Sequence, residues 1–134
     1  MKPRGLRNNN PGNIRKTTDK WQGLRAEQTD PAFFQFETMA YGFRALFKLI
    51  TNYRNKYGCQ TIADIIERYA PRNENDTNNY ILTVCSLMEV PTSFVPDVED
   101  STTMLNLGKA ICYVENGELP EKKDLIDGWE LLKR

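Results

Sequence analysis

The most restrictive feature of the sequence is a series of apolar residues that recur at helical spacing through its last two-thirds. Between Ala40 and Lys56 these residues form one continuous stripe: Phe43, Leu46, Phe47, Ile50 and Tyr53. Ala45 and Leu49 widen the stripe, and Gly58 provides a stop signal just beyond it. The pattern predicts a central helix that is the most buried element of the fold.

Four further helices are predicted after the central one, because each apolar face is bounded by a capping residue or a proline. Their predicted limits, in chain order, are Thr61 to Pro71, 73–77 to Pro91, Asp100 or Ser101 to Gly117, and Pro120 or Glu121 to the chain end. The apolar faces of all five helices need one another for burial. The sequence therefore predicts a bundle around the central helix.

The first 40 residues have a different character, since they are rich in Gly, Pro, Asn, Asp and Thr. Only 13–16 and 33–37 are apolar or alternating, and turn residues separate them. This predicts a small, irregular N-terminal β-hairpin. A chain of 134 residues buries enough surface for one core, so residues 1–134 are expected to form a single, mainly α domain of the α+β type.

Composition argues against nucleic-acid binding, metal binding and disulfide bonds. Eighteen basic residues balance eighteen acidic ones, so there is no overall field to attract a nucleic acid, although the first 25 residues are locally basic. Nucleic-acid binding through that stretch remains a minor alternative. The chain has no histidine, and its three cysteines lie far apart, which argues against a metal site and against disulfides. We expect no metal and no cofactor.

No apolar stretch approaches the length of a membrane span, and no apolar segment follows the basic N-terminus as in a signal peptide. The chain is therefore expected to be made in the cytoplasm and to remain off the membrane. If it acts at the cell wall or in a virion, something else must deliver or release it. We expect a monomer.

Glu115 is the carboxyl group that is hardest to explain as an ordinary surface charge. Met104, Leu107 and Ile111 define the buried face of its helix, and Glu115 follows Ile111 by four positions. A carboxyl group at the end of an apolar stripe is partly desolvated, which favours the protonated form that a glycosidic general acid needs. The simpler interpretation is that Glu115 points to water or caps a backbone amide.

Other polar residues allow both a functional and a structural interpretation. Glu74 opens a helix, where acids are favoured in any case, while Glu37 either faces the same cleft as Glu115 or begins the central helix. The run 8–13 is a shaped loop, because Pro11 and Gly12 impose a turn. Its amides suit the hydroxyl and N-acetyl groups of a sugar polymer, or form a purely structural Asx turn. Candidate stacking platforms for sugar rings are Trp21, Phe34, Tyr41 and Tyr80.

The run RGLRNNNPGNIR, from Arg4 to Arg15, resembles a family of small phage and prophage proteins that are often labelled structural and look like lysozyme-type peptidoglycan-cleaving domains. Further matches are Trp21 with Gly23, Phe33 with Phe36, Tyr41 to Ala45, Tyr69 to Pro71, Glu74 to Tyr80, and Val114 to Gly117. Residues 110–117 also resemble the helix end that carries the catalytic glutamate of lytic transglycosylases. Asn116 stands where that motif usually has serine.

This resemblance implies a lysozyme-like fold in which Glu115 is the general acid for cleavage of peptidoglycan glycan strands. The segment from Asn10 to Ile14 resembles the β-region that follows the catalytic helix in lytic transglycosylases. Here it precedes residues 110–117, and a circular permutation explains this reversed order. A transglycosylase needs no second carboxylate, whereas a muramidase would use Glu37, Asp30 or Glu27. The implied substrate-binding residues are Asn9, Asn10, Asn13, Arg15, Glu74, Asn75 and Tyr80. The competing hypothesis is a non-catalytic virion or secretion-system component that binds glycan.

Overall fold

A computed structural model describes residues 1–134 and contains six helices. Their bounds are α1 Arg4–Arg7, α2 Met39–Tyr57, α3 Ile62–Tyr69, α4 Thr77–Met88, α5 Ser101–Asn116 and α6 Lys122–Lys133. The mainly helical class is confirmed, but the predicted number of five helices is wrong. The sequence pattern missed α1, because four residues are too few to show helical periodicity and one of them is the poor helix former Gly5.

The helix starts follow from side-chain caps that the sequence already indicated. Thr61 accepts a hydrogen bond from the amide of Asp64, whose carboxylate accepts one from the amide of Thr61 in return, forming a capping box. Asp76 and Asp100 accept hydrogen bonds in the same way at the starts of α4 and α5. The five predicted helices therefore begin and end within a few residues of their predicted limits.

Helix α2 is the centre of the fold, as predicted. Its residues Phe43, Leu46, Phe47 and Ile50 have no exposed surface, and they belong to a cluster of 23 buried apolar residues. Helix α6 packs along α2, while α3 and α5 contact it from other sides. None of the six helices combines the length and the apolar character needed to cross a bilayer.

The two segments predicted to form an irregular β-hairpin, 13–16 and 33–37, do pair in antiparallel fashion, but they form no regular strands. Only two isolated antiparallel bridges exist, between Arg15 and Phe33 and between Leu24 and Phe36. A side-chain amide supplements the few backbone hydrogen bonds: Asn10 donates from Nδ2 to the carbonyls of Ile14 and Phe34, at 3.0 and 2.9 Å. Amide side chains can pair with backbone groups as a neighbouring strand would, so the region is held in place without forming a sheet.

Candidate functional site

The loop at 8–13 is held by its asparagines and by glycines on the elements around it. Asn9 and Asn13 have positive φ angles of 51° and 50°, a left-handed conformation that asparagine tolerates better than most residues. On α2, a Cβ at Gly42 would collide with the carbonyl oxygen of Asn9. A Cβ at Gly5 would lie 2.8 Å from the Oδ1 of Asn13 and would also collide with Asn116. Close packing at these two glycines fixes the loop against the helices.

The end of α5 is joined directly to this loop. Asn116, the last residue of the helix, donates from Nδ2 to the carbonyl of Pro11 at 2.9 Å and to that of Cys112 at 3.1 Å. Gly117 then ends the helix in a left-handed conformation, with φ 74°. The asparagine that departs from the transglycosylase motif therefore anchors the N-terminal loop to the C-terminal end of α5.

Glu115 lies beside the loop, and both of its carboxylate oxygens accept hydrogen bonds. The Nδ2 of Asn13 donates to Oε1 at 2.9 Å, across 102 positions of the chain, and the hydroxyl of Tyr80 on α4 donates to Oε2 at 2.8 Å. Glu115 is thus held from the N-terminal loop on one side and from α4 on the other. Glu115 is partly buried, so its side chain does not point into open solvent. This differs from the simpler interpretation, in which Glu115 points to water.

The surroundings of Glu115 shift its pKa upwards. Burial raises the pKa of Glu115 above its ordinary value of 4.5, and this effect outweighs the hydrogen bonds from Asn13 and Tyr80 and the positive charge of Arg15, all of which lower it. Burial, and secondly the proximity of Glu115, also hold the pKa of Tyr80 well above 10. Tyr80 therefore remains a neutral hydroxyl at every physiological pH.

Glu115 opens onto a cavity of about 300 Å³, which we call the acid cleft. Its walls include Asn13 and Arg15 from the N-terminal region, Glu74 and Asn75 before α4, and Glu115 from α5. Aromatic and apolar residues complete it: Trp21, Phe33, Leu49, Tyr53 and Tyr69. The combination of a few polar groups with aromatic walls is typical of small-molecule and saccharide sites.

Two of the charged side chains that line the acid cleft, Arg15 and Glu74, form an ion pair. The Nε of Arg15 lies 3.5 Å from a carboxylate oxygen of Glu74, and its guanidinium group stacks 5.2 Å from the centre of the Phe33 ring. Both side chains of this ion pair are about half exposed, so it is available to a ligand rather than locked in the core. No group of three or more Cys, Asp or Glu side chains is placed to hold a metal ion.

Several residues predicted to contact substrate form hydrogen bonds within the protein. Asn10 has no exposed surface and its amide bonds only to the backbone, while Asn9 donates to the carbonyls of Phe36 and Glu37. Tyr80 is 3% exposed and contacts Glu115, and Phe34 is buried and therefore cannot be a stacking platform. By contrast, Asn13, Arg15, Glu74 and Asn75 all line the acid cleft.

The structure does not place the predicted second carboxylates in the acid cleft. Glu37 is exposed and does not line it, and Glu27 is also outside. Asp30 is buried, where it accepts hydrogen bonds from Arg4 at 2.6 and 2.7 Å and from Asn8 at 2.9 Å. The guanidinium of Arg4 holds the pKa of Asp30 far below its usual range, so Asp30 is a structural anion.

Sequence reasoning missed two residues that the fold brings to the cleft. The hydroxyl of Tyr69, at the end of α3, donates a hydrogen bond to the carbonyl of Gly12 and so holds the loop at 8–13 against α3. Asp19 lines the cleft from a segment without any periodic pattern. Tyr69 belongs to one of the motifs that match the phage family, but the motif gave no reason to place it beside the loop. Nothing in the sequence around Asp19 indicated that it would line the cleft.

No family model matches the chain. Among curated proteins, it is 38% identical over 126 residues to Protein P5 of Pseudoalteromonas phage PM2, an alignment that covers 92% of this chain and 77% of Protein P5. The chain belongs to the family of Protein P5. The expected relationship to phage proteins is thereby confirmed. The name of this relative states no activity, so the chemistry has to be argued from the site.

Proposed function

We propose that this member of the Protein P5 family cleaves the glycan strands of peptidoglycan, with Glu115 as the general acid. One observation carries the proposal: Glu115 is a carboxyl group whose pKa is raised by burial and which also lines a cleft with polar and aromatic walls. The pKa of Asp124 is raised by burial as well, but Asp124 lies on α6 and does not line the acid cleft. Only Glu115 combines the two properties.

In the proposed reaction, the protonated Glu115 donates its proton to the glycosidic oxygen between N-acetylmuramic acid and N-acetylglucosamine. The bond from that oxygen to the anomeric carbon breaks, and positive charge develops on the sugar. The carboxylate that remains is stabilised by the same two donors, Asn13 and Tyr80, that contact it in the structure. These donors therefore favour the state that the acid reaches after it has given up its proton.

We infer intramolecular transfer rather than hydrolysis, because the side chains that hydrogen-bond to Glu115 are Asn13 and Tyr80, and no carboxylate is among them. Glu74 and Asp19 also line the acid cleft, but Glu74 is paired with Arg15 and Asp19 accepts a hydrogen bond from the hydroxyl of Thr17. In intramolecular transfer, the C6 hydroxyl of N-acetylmuramic acid attacks its own anomeric carbon and returns its proton to Glu115. The product carries a 1,6-anhydro end, and Glu115 is regenerated without a water molecule.

We further propose that the fold is a circularly permuted lysozyme-like domain that acts as a monomer. The support is the junction of the loop at 8–13 with the end of α5, since Asn13 and Asn116 connect segments from opposite ends of the chain. The proposed place of action is the cell wall, reached from a virion or after release from a host cell. The family relationship to a phage protein is consistent with either route.

A non-catalytic role as a glycan-binding virion component is the second candidate. It is favoured by the hydrogen bonds on both oxygens of Glu115, which is how a purely structural buried carboxylate is satisfied. The two candidates differ in what happens to the glycan once it is bound. Binding without bond cleavage would establish the second and exclude the first.

The test is to incubate purified peptidoglycan with the wild-type protein, with Glu115→Gln, and with the control Glu118→Gln, whose exposed side chain lies beyond the helix end. Released fragments are identified by mass spectrometry. We expect anhydro-ended fragments from the wild type and from the control, and none from Glu115→Gln. Fragments with ordinary reducing ends would establish hydrolysis, and the absence of any release by the wild type would refute the enzymatic proposal.

A further inference from the structure

A second cavity of about 740 Å³ adjoins the acid cleft and has a different chemical character. We call it the cationic groove, and its positive residues are Lys20, Lys48, Lys56 and Arg68. It shares Asp19, Trp21, Leu49 and Tyr53 with the acid cleft, so the two cavities form one continuous depression. Asp19 is the one acidic residue that lines the groove.

The positive side chains of the groove form no ion pair within the chain. The chain forms five ion pairs, and none of them involves Lys20, Lys48, Lys56 or Arg68. In a chain whose formal net charge is zero, four unpaired cations around a single depression are a local concentration of positive charge. Cations that line one cavity without carboxylate partners attract an anionic ligand into it.

Helix α2 sets the spacing of two of the lysines in the groove. Lys48, Asn52 and Lys56 are spaced four residues apart, so they lie along one face of the helix. The guanidinium of Arg68 stacks over the ring of Tyr57 at 3.7 Å and lies 5.2 Å from that of Tyr53. Stacking orders the guanidinium while its N–H groups stay free for an anion, and a guanidinium matches the two oxygens of a carboxylate.

We propose that the cationic groove binds the carboxylate-bearing peptide branch of the same glycan strand whose backbone lies in the acid cleft. This inference rests on the proposed function and names a second part of the substrate. The shared wall at Trp21, Leu49 and Tyr53 lets one branched ligand occupy both cavities. The formal net charge of zero favours such a short branch over a long polyanion, because the chain as a whole exerts no net attraction on one.

The test compares two forms of one ligand: purified glycan strands with intact peptide branches, and the same strands after an amidase has removed the branches. Binding is measured by titration calorimetry in the Glu115→Gln background, so that the strands are not consumed. We expect the branched strands to bind about tenfold more tightly than the bare ones, since several exposed charge pairs each add a small increment. Added salt should reduce this preference.

The double substitution Lys48→Gln with Lys56→Gln should abolish the preference and leave the affinity for bare strands unchanged. Lys109 and Lys122 line neither cavity and form no ion pair, so the same substitutions there are the matched control and should keep the preference. Equal affinity of the unsubstituted groove for both strands would overturn the inference. So would a preference that survives in the double variant.

Two further results separate this inference from the proposed function. If the wild type cleaves bare strands but shows no preference for branches, the inference about the groove fails alone. If the wild type neither binds nor cleaves either strand, both proposals fail together. Tighter binding of a short duplex DNA than of branched strands, lost in the double variant, would also overturn the inference and identify the groove as a nucleic-acid site.

Discussion

Replacing Tyr80 with phenylalanine removes one of the two donors that hold the carboxylate of Glu115. The lost hydrogen bond is 2.8 Å long and joins the hydroxyl of Tyr80, a residue that is 3% exposed, to a partly buried carboxylate. A hydrogen bond to a charged group in such a place contributes about 1.5–3 kcal/mol. Because this bond favours the charged form, and about 1.4 kcal/mol corresponds to one pKa unit, Tyr80→Phe should raise the pKa of Glu115 by roughly 1–2 units.

The pKa of Glu115 can be measured from the chemical shift of its side-chain carboxyl carbon during a pH titration of labelled protein. Glu115→Gln identifies the resonance. Tyr113→Phe is the control, because the side chain of Tyr113 is 39% exposed and does not hydrogen-bond to Glu115. An unchanged or lowered pKa in Tyr80→Phe, with the fold intact, would show that Tyr80 does not stabilise the charged form of Glu115.

Three further substitutions test the surroundings of the site. Gly5→Ala should destabilise the fold by about 1–3 kcal/mol in chemical denaturation, because the new Cβ overlaps the Oδ1 of Asn13, and it should also raise the pKa of Glu115 by displacing that donor. The ion pair of Asp30 with Arg4 contributes stability above the ordinary pKa of 3.8, and this contribution is lost as the pH falls through the lowered pKa of Asp30. Asp30→Asn should therefore lower the free energy of unfolding at neutral pH and make it depend less on pH in acid. Because the pKa of Glu115 is raised above 4.5 by folding, the folded state binds more protons than the unfolded state above that pH. The stability of the wild type should therefore fall as the pH rises from 4.5 through the folded-state pKa of Glu115. Glu115→Gln should lack this decline. Parallel acid dependence of Asp30→Asn and wild type, or of Glu115→Gln and wild type over the second window, would contradict these assignments.

The helices were predictable because their signals are local. The caps Thr61, Asp76 and Asp100 and the stop Gly58 act on backbone groups a few residues away, and the apolar stripe of α2 depends only on helical geometry. Helix α1 was not predictable in this way, because four residues make a single turn. The packing that supports α1, against α5, comes from the other end of the chain.

The N-terminal region and the details of the site depend on distant partners, which a sequence pattern does not specify. Asn10 and Asn13 are the same residue type in the same loop, so the sequence does not distinguish their roles. In the structure Asn10 hydrogen-bonds to buried backbone carbonyls, whereas Asn13 hydrogen-bonds to Glu115. The apolar stripe of α5 left two interpretations of Glu115 open, a partly desolvated acid and a side chain that points to water or caps a backbone amide. It did not indicate that Tyr80, which is expected to contact substrate, would donate a hydrogen bond to Glu115.

The central claim is that Glu115 acts as a proton donor, and the pH dependence of kcat/KM for glycan cleavage tests it most directly. Only the protonated acid can begin the reaction, so above the pKa measured for Glu115 the rate should fall about tenfold for each pH unit. The upper limb of this profile should coincide with the titration of Glu115 followed by its carboxyl resonance. A rate that stays constant or rises through that pKa would contradict the assignment of Glu115 as the acid.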